Sequence, residues 1–184
     1  MLLPFWEPLF PGAVRVVATR NPLDASRSFL ARRFPEKLAR MLQFPAYFAF
    51  RWQLAMLELL GPRVSSTGEP LVVGFEHLLR SPVEQVRRLV RFLEASTGES
   101  RGEDAVWTLL EEIDPTRWHH RNEHGFFELA AVTAEQKELC RHLQRRAADT
   151  AEPFDPDRFP MPAYAWEYLR NFDIFAEQVI GEAV

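Results

Sequence analysis

Two short apolar runs, each followed at once by an amphipathic helical pattern, organise the first half of the chain. Residues 14–19 are mostly apolar and rich in β-branched side chains, which predicts a short, mostly buried strand. Residues 71–75 repeat this pattern, and Glu76 then precedes a second helix. Two strand–helix units in succession predict a parallel sheet with helices packed on it. The predicted fold class is therefore α/β, with predominantly helical content.

The junction between the first strand and its helix is a candidate phosphate site. Asn21 is predicted to cap the helix, with Pro22 at the first helical position and Asp24 as a capping-box carboxylate. Helix N-termini offer unpaired N–H groups and a partial positive charge, both of which attract anions. Arg20 adds a fork of donors that matches phosphate or carboxylate. The alternative is a well-capped strand–helix unit with an exposed arginine.

The rest of the pattern is mostly helical. Residues 45–60 are apolar nearly all round, which predicts a helix that is buried on most sides or waits for a partner. Capping boxes are predicted at Ser81, before Pro82 and Glu84, and at Thr133 with Gln136. Residues 94–102 are predicted to be a polar linker, and 104–113 a short helix. The predicted organisation is one domain over residues 1–150, then a proline-rich linker and a C-terminal amphipathic helix over 151–184.

Composition narrows the function classes. A net charge of −4 argues against a dedicated nucleic-acid binder, although residues 13–40 carry seven basic against two acidic side chains. That basic patch suits a small anionic ligand or a solvated helix face. With Cys140 as the only cysteine no internal disulfide can form, and no apolar run reaches the ~20 residues of a membrane span. Without a signal-peptide pattern, the sequence predicts a soluble cytoplasmic protein with no membrane span.

Arg20, Asn21-Pro22, Asp24 and Ser28, which follows eight residues after the arginine, resemble the 3′-phosphate-binding motif of PAPS-dependent sulfotransferases. The second strand–helix unit resembles the pattern that follows in bacterial members, and the resemblance covers roughly residues 5–145. It implies a partial P-loop-NTPase-like fold and transfer of a sulfuryl group from PAPS to a small-molecule or carbohydrate acceptor, which the sequence does not identify. It also implies that Arg20 and Ser28 hold the 3′-phosphate of PAPS or of adenosine 3′,5′-bisphosphate.

The resemblance is incomplete at the reacting end of the cofactor. In the family a glycine- and lysine-bearing loop and the catalytic base lie N-terminal to this strand. Only thirteen residues precede Val14, whereas a βαβ unit needs ~30. We therefore expect the C-terminal part of a sulfotransferase domain, inactive as the isolated chain, with a homodimer or a complementing N-terminal segment as partner. The alternative is a non-catalytic nucleotide-binding or protein-interaction module that uses the helix at residues 46–60 as its contact surface.

Four further features are candidates for chemistry. In the sulfotransferase family that the sequence resembles, a late basic loop often closes over the nucleotide. The resemblance therefore makes Arg117 and Arg121 candidate phosphate-binding residues, and the alternative is that they belong to a solvated loop. His120 and His124 have zinc-compatible spacing, but Arg121 stands where a zinc hydrolase has glutamate, and no metal site is predicted. Cys140 is predicted to be a core residue. Glu76 either meets a substrate or orders the following loop by hydrogen bonds.

Overall fold

The computed structural model describes residues 9–10, 12–33, 45–60, 68–114, 116, 125–149 and 152–161. Two short strands and seven helices lie in these ranges. In chain order they are β1 (Val16–Thr19), α1 (Pro22–Arg33), α2 (Pro45–Leu60), β2 (Leu71–Gly74), α3 (Phe75–Arg80), α4 (Pro82–Thr97), α5 (Gly102–Glu111), α6 (Gly125–Glu128) and α7 (Ala134–Ala147).

The two strands form a small parallel sheet in a mostly helical protein. β1 pairs with β2 in a register that places Val16 opposite Leu71 and Thr19 opposite Gly74. The α1 and α2 helices lie in the crossover between the strands, as a parallel connection requires. The prediction of two strand–helix units in a parallel sheet is confirmed. Each strand is shorter than predicted, because β1 begins at Val16 and because α3 begins at Phe75 directly after β2.

The main core lies between one face of the sheet and the helices α2 and α7. Val17 and Val72 point into it from the strands. The helices contribute six buried apolar residues, which are Met56, Leu57, Leu60, Leu139, Leu143 and Ala147. A second core, formed by Leu23, Ala49, Phe126, Val132 and Cys140, lies beside α1. A third joins α4 to α5 through Val86, Val90 and Val106.

The α2 helix has the bounds predicted for residues 45–60, and its burial is confirmed. Its side chains enter both of the first two cores, with Leu57 in the main core, Ala49 in the second, and Trp52 packed against both. An apolar surface that is already buried inside the protein cannot also face a partner. The buried positions of the helix are therefore excluded from contact with a partner, and its suggested use as a protein-contact surface stays a prediction.

The outer edge of β2 is held by a single arginine. Arg88, on α4, donates from Nη1 to the Val72 carbonyl at 2.8 Å and to the Ala147 carbonyl at 3.3 Å. Its Nη2 donates to the Arg146 carbonyl at 2.9 Å. The same guanidinium thus bonds to a strand carbonyl and to two carbonyls in the last turn of α7, one of which, that of Arg146, also accepts a hydrogen bond from the Asp149 N–H at 3.0 Å. It fixes α4, β2 and the end of α7 relative to one another.

The helix boundaries show one capping prediction that holds and one that fails. Thr133 and Gln136 form the predicted capping box at the start of α7. Ser81 precedes α4 as predicted, but its side chain makes no capping hydrogen bond. Its N–H instead donates to the His77 carbonyl and ends α3, and its ψ of 61° differs from the extended backbone of a usual N-cap. The polar linker begins later than the predicted residue 94, because α4 continues to Thr97. Gly98, with a φ of 72°, is the C-cap of this helix.

Residues 152–161, which we call the proline-rich strap, lie against the main core. Phe159 is buried there, and Phe154 and Met161 pack against it. The described part of the predicted linker is therefore attached to the rest of the protein, while the predicted division at residue 150 stays a prediction. The predicted C-terminal helix lies outside the described residues. No helix in the described ranges has both the length and the apolar character needed to cross a membrane.

Candidate functional site

The candidate site is the turn at the carboxyl end of β1, where Arg20 and Asn21 join the strand to α1. Asn21 is buried, and its Oδ1 accepts hydrogen bonds from the N–H of Leu23 at 3.0 Å and of Asp24 at 3.4 Å. Pro22 occupies the first position of α1. The predicted capping role of Asn21 is confirmed, so the position of Arg20 is fixed by a rigid strand on one side and a capped helix on the other.

The amide groups at the start of α1 are already paired. Pro22 has no N–H, the amides of Leu23 and Asp24 bond to the Asn21 side chain, and the Ala25 amide donates to the Asn21 carbonyl at 2.9 Å. The expectation that unpaired helix amides would bind an anion was wrong at these positions, because the capping residue takes the donors itself. The amides of residues 23–25 are therefore not available to an anion, and side chains are the remaining donors at the start of α1.

Glu76 joins this turn to the second strand–helix unit. It is buried, and its Oε1 accepts a hydrogen bond from the Asn21 N–H at 2.9 Å. The carboxyl ends of β1 and β2 meet at one edge of the sheet, which brings together residues that are 55 positions apart in the sequence. Of the two roles considered for Glu76, the hydrogen-bonding one is confirmed, although the loop it orders follows β1 rather than β2.

The Phe75 ring packs against the Arg20 side chain. The Arg20 Cζ atom lies 4.3 Å from the centroid of the Phe75 ring, within the range of a cation–π contact. Arg20 is half-buried, and its Nε is buried without a hydrogen-bond acceptor. Among the described residues no carboxylate forms an ion pair with Arg20. The site therefore presents an oriented cation whose charge these residues leave unneutralised.

Acidic side chains nearby are engaged elsewhere. Asp24 is fully buried, and its Oδ1 lies 4.0 Å from Nη1 of Arg27. Glu76 is bonded to the Asn21 amide, as described above. The hydrogen bond holds the Glu76 carboxylate within the turn.

Ser28 lies on α1 and is half-buried. It follows Asn21 by seven residues, which is two helical turns, so the two residues share a face of α1 about 10 Å apart along its axis. An extended arginine side chain is long enough to approach a group that also contacts the serine. The spatial relation that the sequence predicts for Arg20 and Ser28 is thus compatible with the structure, and their joint role stays a prediction.

The other predicted phosphate-binding residues, Arg117 and Arg121, lie outside the described residues, as do His120 and His124. Within the described ranges, no group of three or more His, Cys, Asp or Glu side chains is arranged to hold a metal ion.

Cys140 is a core residue, as predicted. It is 2% exposed and packs with Leu23 and Phe126 in the second core. Burial raises the pKa of its thiol to about 12, and the nearby Glu76 carboxylate acts in the same direction. The thiol is therefore protonated at neutral pH and unsuited to nucleophilic chemistry. This core lies beneath the candidate site and supports the start of α1.

Sequence reasoning did not identify Phe75 as a site residue. The signal that could have found it is its position as the first residue after β2, since the ends of adjacent parallel strands meet at one sheet edge. Phe75 and Glu76 both reach the turn after β1 for this reason.

We compared the chain with protein-family models, with curated proteins and with solved structures, and none of the three comparisons found a match.

Proposed function

We propose that the turn after β1 binds the 3′-phosphate of a nucleotide, as PAPS or adenosine 3′,5′-bisphosphate. The observation that carries the proposal is the Arg20 guanidinium, which is stacked on Phe75 and has no ion-pair partner among the described residues. The resemblance of Arg20, Asn21-Pro22, Asp24 and Ser28 to the sulfotransferase motif supplies the identity of the anion.

Several physical features favour phosphate at this position. A guanidinium binds phosphate through two parallel charge-assisted hydrogen bonds, each stronger than a neutral one. The Phe75 ring holds the guanidinium against its face before the ligand arrives, and such preorganisation lowers the entropic cost of binding. The buried Asn21–Glu76 hydrogen bond holds the backbone from which Arg20 projects.

The proposed role within sulfuryl transfer is to anchor the end of the cofactor that does not react. Transfer requires donors placed around the sulfuryl group itself, and binding energy from a remote phosphate does not replace them. We therefore propose a sulfotransferase-family protein that acts on a small-molecule or carbohydrate acceptor in the cytoplasm, in a P-loop-NTPase-like fold. The reacting end would be supplied by a complementing N-terminal segment or by a second copy, and the isolated chain would be inactive. In this proposal Ser28 and Arg121 are secondary phosphate contacts.

A second candidate is nucleotide binding without catalysis. It is favoured by the paired amides at the start of α1, because a site that engages the ligand through side chains alone offers fewer preorganised donors. The two candidates share the Arg20 contact and differ in whether PAPS is turned over once the missing parts are supplied.

Isothermal titration calorimetry of the full chain tests the shared step. Adenosine 3′,5′-bisphosphate is titrated into the wild-type protein, Arg20→Ala and Arg91→Ala, and 5′-AMP serves as the ligand without a 3′-phosphate. Arg91 is an exposed arginine on α4, so its variant controls for the loss of one positive charge. We expect Arg20→Ala alone to weaken binding by about 1.5–3 kcal/mol, as for a hydrogen bond to a charged group. Equal affinity for the two ligands, or for the wild type and Arg20→Ala, would contradict the proposal.

A further inference from the structure

His142, on α7, is a buried titratable residue that takes no part in the proposed nucleotide site. The imidazole lies beneath the proline-rich strap, with its ring centroid 6.2 Å from that of Phe154 and 5.2 Å from that of Phe159. The two phenyl rings stack on each other at 5.7 Å and 15°. His142 is 3% exposed, and its Nε2 is buried without a hydrogen-bond partner. The strap thus covers a titratable ring with two aromatic side chains.

The strap is tied down by few polar contacts. The Phe154 N–H donates to Oε1 of Glu69 at 3.0 Å. Arg158 donates from Nη2 to Oε1 of Glu138 at 2.8 Å. The first contact is one backbone hydrogen bond, and the second is an exposed ion pair, which contributes little to stability. The attachment of the strap therefore depends mainly on the packing of Phe154 and Phe159 over His142 and the main core.

We propose that His142 makes the attachment of the proline-rich strap depend on pH, so that the neutral imidazole retains the strap and protonation in mild acid releases it. Protonation would place a positive charge in a buried site where Nε2 has no acceptor. Phe154 and Phe159 cover the ring on the side of the strap, so lifting the strap would admit water to it.

The surrounding charges act in the same direction. The α7 helix brings Arg145 and Arg146 toward His142 and also the carboxylate of Glu138. The strap brings Arg158, and the α2 helix contributes apolar side chains to the same core. Glu69, before β2, is paired with Arg146.

Burial lowers the pKa of His142 most, the three arginines lower it further, and Glu138 alone opposes them. Because the group has a lower pKa when the strap is attached than when the imidazole meets water, attachment is strongest above the free pKa of about 6.5. It weakens as the pH falls from that value toward the pKa of the covered ring. We expect the strap to be released in the pH range in which histidine side chains ordinarily titrate.

Hydrogen–deuterium exchange of the full chain at about pH 7.5 and about pH 5.5, corrected for intrinsic exchange, tests the proposal. The reporter is a peptide that covers residues 152–161, and a peptide within α4 is the internal reference. The test variant is His142→Phe, which keeps an aromatic ring and cannot be protonated. The matched control is His77→Phe, at a partly buried histidine on α3.

We expect the strap of the wild type and of His77→Phe to lose protection several-fold at the lower pH, while the α4 peptide is unchanged. The strap of His142→Phe should retain its protection. Equal loss in all three proteins, or no loss in the wild type, would overturn the proposal. If His142→Phe does not fold, an NMR titration of the wild-type imidazole decides the matter. A pKa for His142 below that of a free histidine supports the proposal, and an equal or higher one refutes it.

Discussion

The carboxylate of Glu76 accepts a hydrogen bond from the backbone N–H of Asn21 at 2.9 Å, and both residues are buried. This bond joins the end of β1 to the start of the helix that follows β2. It holds the residue that caps α1 and stands next to Arg20. The candidate site is therefore shared by two strand–helix units.

The first prediction is that Glu76→Ala destabilises the protein. The substitution leaves the Asn21 N–H buried without its acceptor, which typically costs about 1–3 kcal/mol. Glu76→Gln keeps an oxygen acceptor and should recover part of the loss. The free energy of unfolding in urea measures both effects, with Glu84→Ala, at an exposed first-turn position of α4, as the control. A loss no larger than that of the control would show that the bond is unimportant.

The second prediction concerns Phe75 and separates orientation from charge. Phe75→Leu keeps an apolar side chain but removes the ring beneath the Arg20 guanidinium. We expect it to weaken binding of adenosine 3′,5′-bisphosphate by about 0.5–1 kcal/mol, as for a cation–π contact near the surface. The double variant Arg20→Ala with Phe75→Leu should bind this ligand no more weakly than Arg20→Ala alone. Full additivity in this double-mutant cycle would mean that Phe75 acts independently of Arg20.

The third prediction tests the close packing of α7 on β2. A Cβ atom added at Gly74 would lie 2.9 Å from Cβ of Ala147, closer than two carbons can approach. Gly74→Ala should therefore lower the free energy of unfolding by about 1–3 kcal/mol, as overpacking does. The double variant Gly74→Ala with Ala147→Gly removes the opposing methyl group. The double variant should lose less free energy of unfolding than the two single variants lose together. Strict additivity of the two losses would exclude the clash as the cause.

The fourth prediction is that residues 1–184 alone transfer no sulfuryl group from PAPS to phenolic, alcoholic or amine acceptors. The phosphate end of the proposed cofactor site has a cation, but the reaction requires donors at the sulfuryl group. A radiolabel transfer assay with the isolated chain measures this directly. Turnover that Arg20→Ala abolishes would mean that the 5′-phosphosulfate site lies within this chain, and Arg117 and Arg121 would be the first residues to test. A binding-only protein would stay inactive even with a complementing N-terminal segment.

Local signals predicted the elements of the fold well. The capping role of Asn21, the proline at the start of α1 and the burial of α2 follow from side chains that act on their own segment. The location of the parallel sheet followed from two apolar runs, because each was bounded by a turn and a helix start.

Contacts between distant segments could not be predicted in this way. The position of Phe75 under Arg20 depends on how the two strand ends meet, so it follows only once β1 and β2 are known to be adjacent parallel strands. Ser81 matched a capping box locally, but it is also the residue that ends α3, and this fixes its backbone in another conformation. The prolines of the strap suggested an extended linker, whereas Phe159 is buried in a core formed by α2 and α7.

The Arg88 contacts bear on which edge of the small sheet could pair with a further strand. Arg88 occupies the Val72 carbonyl on the far side of β2, so a new strand cannot pair there without displacing it. The Leu71 N–H bonds to the Arg15 carbonyl, which places the backbone groups of Val16 and Ala18 on the opposite side of β1 from β2. Among the described residues, a further strand would therefore find its place at β1, next to the strand that leads into Arg20. A segment that paired there would also approach the turn of the proposed phosphate site.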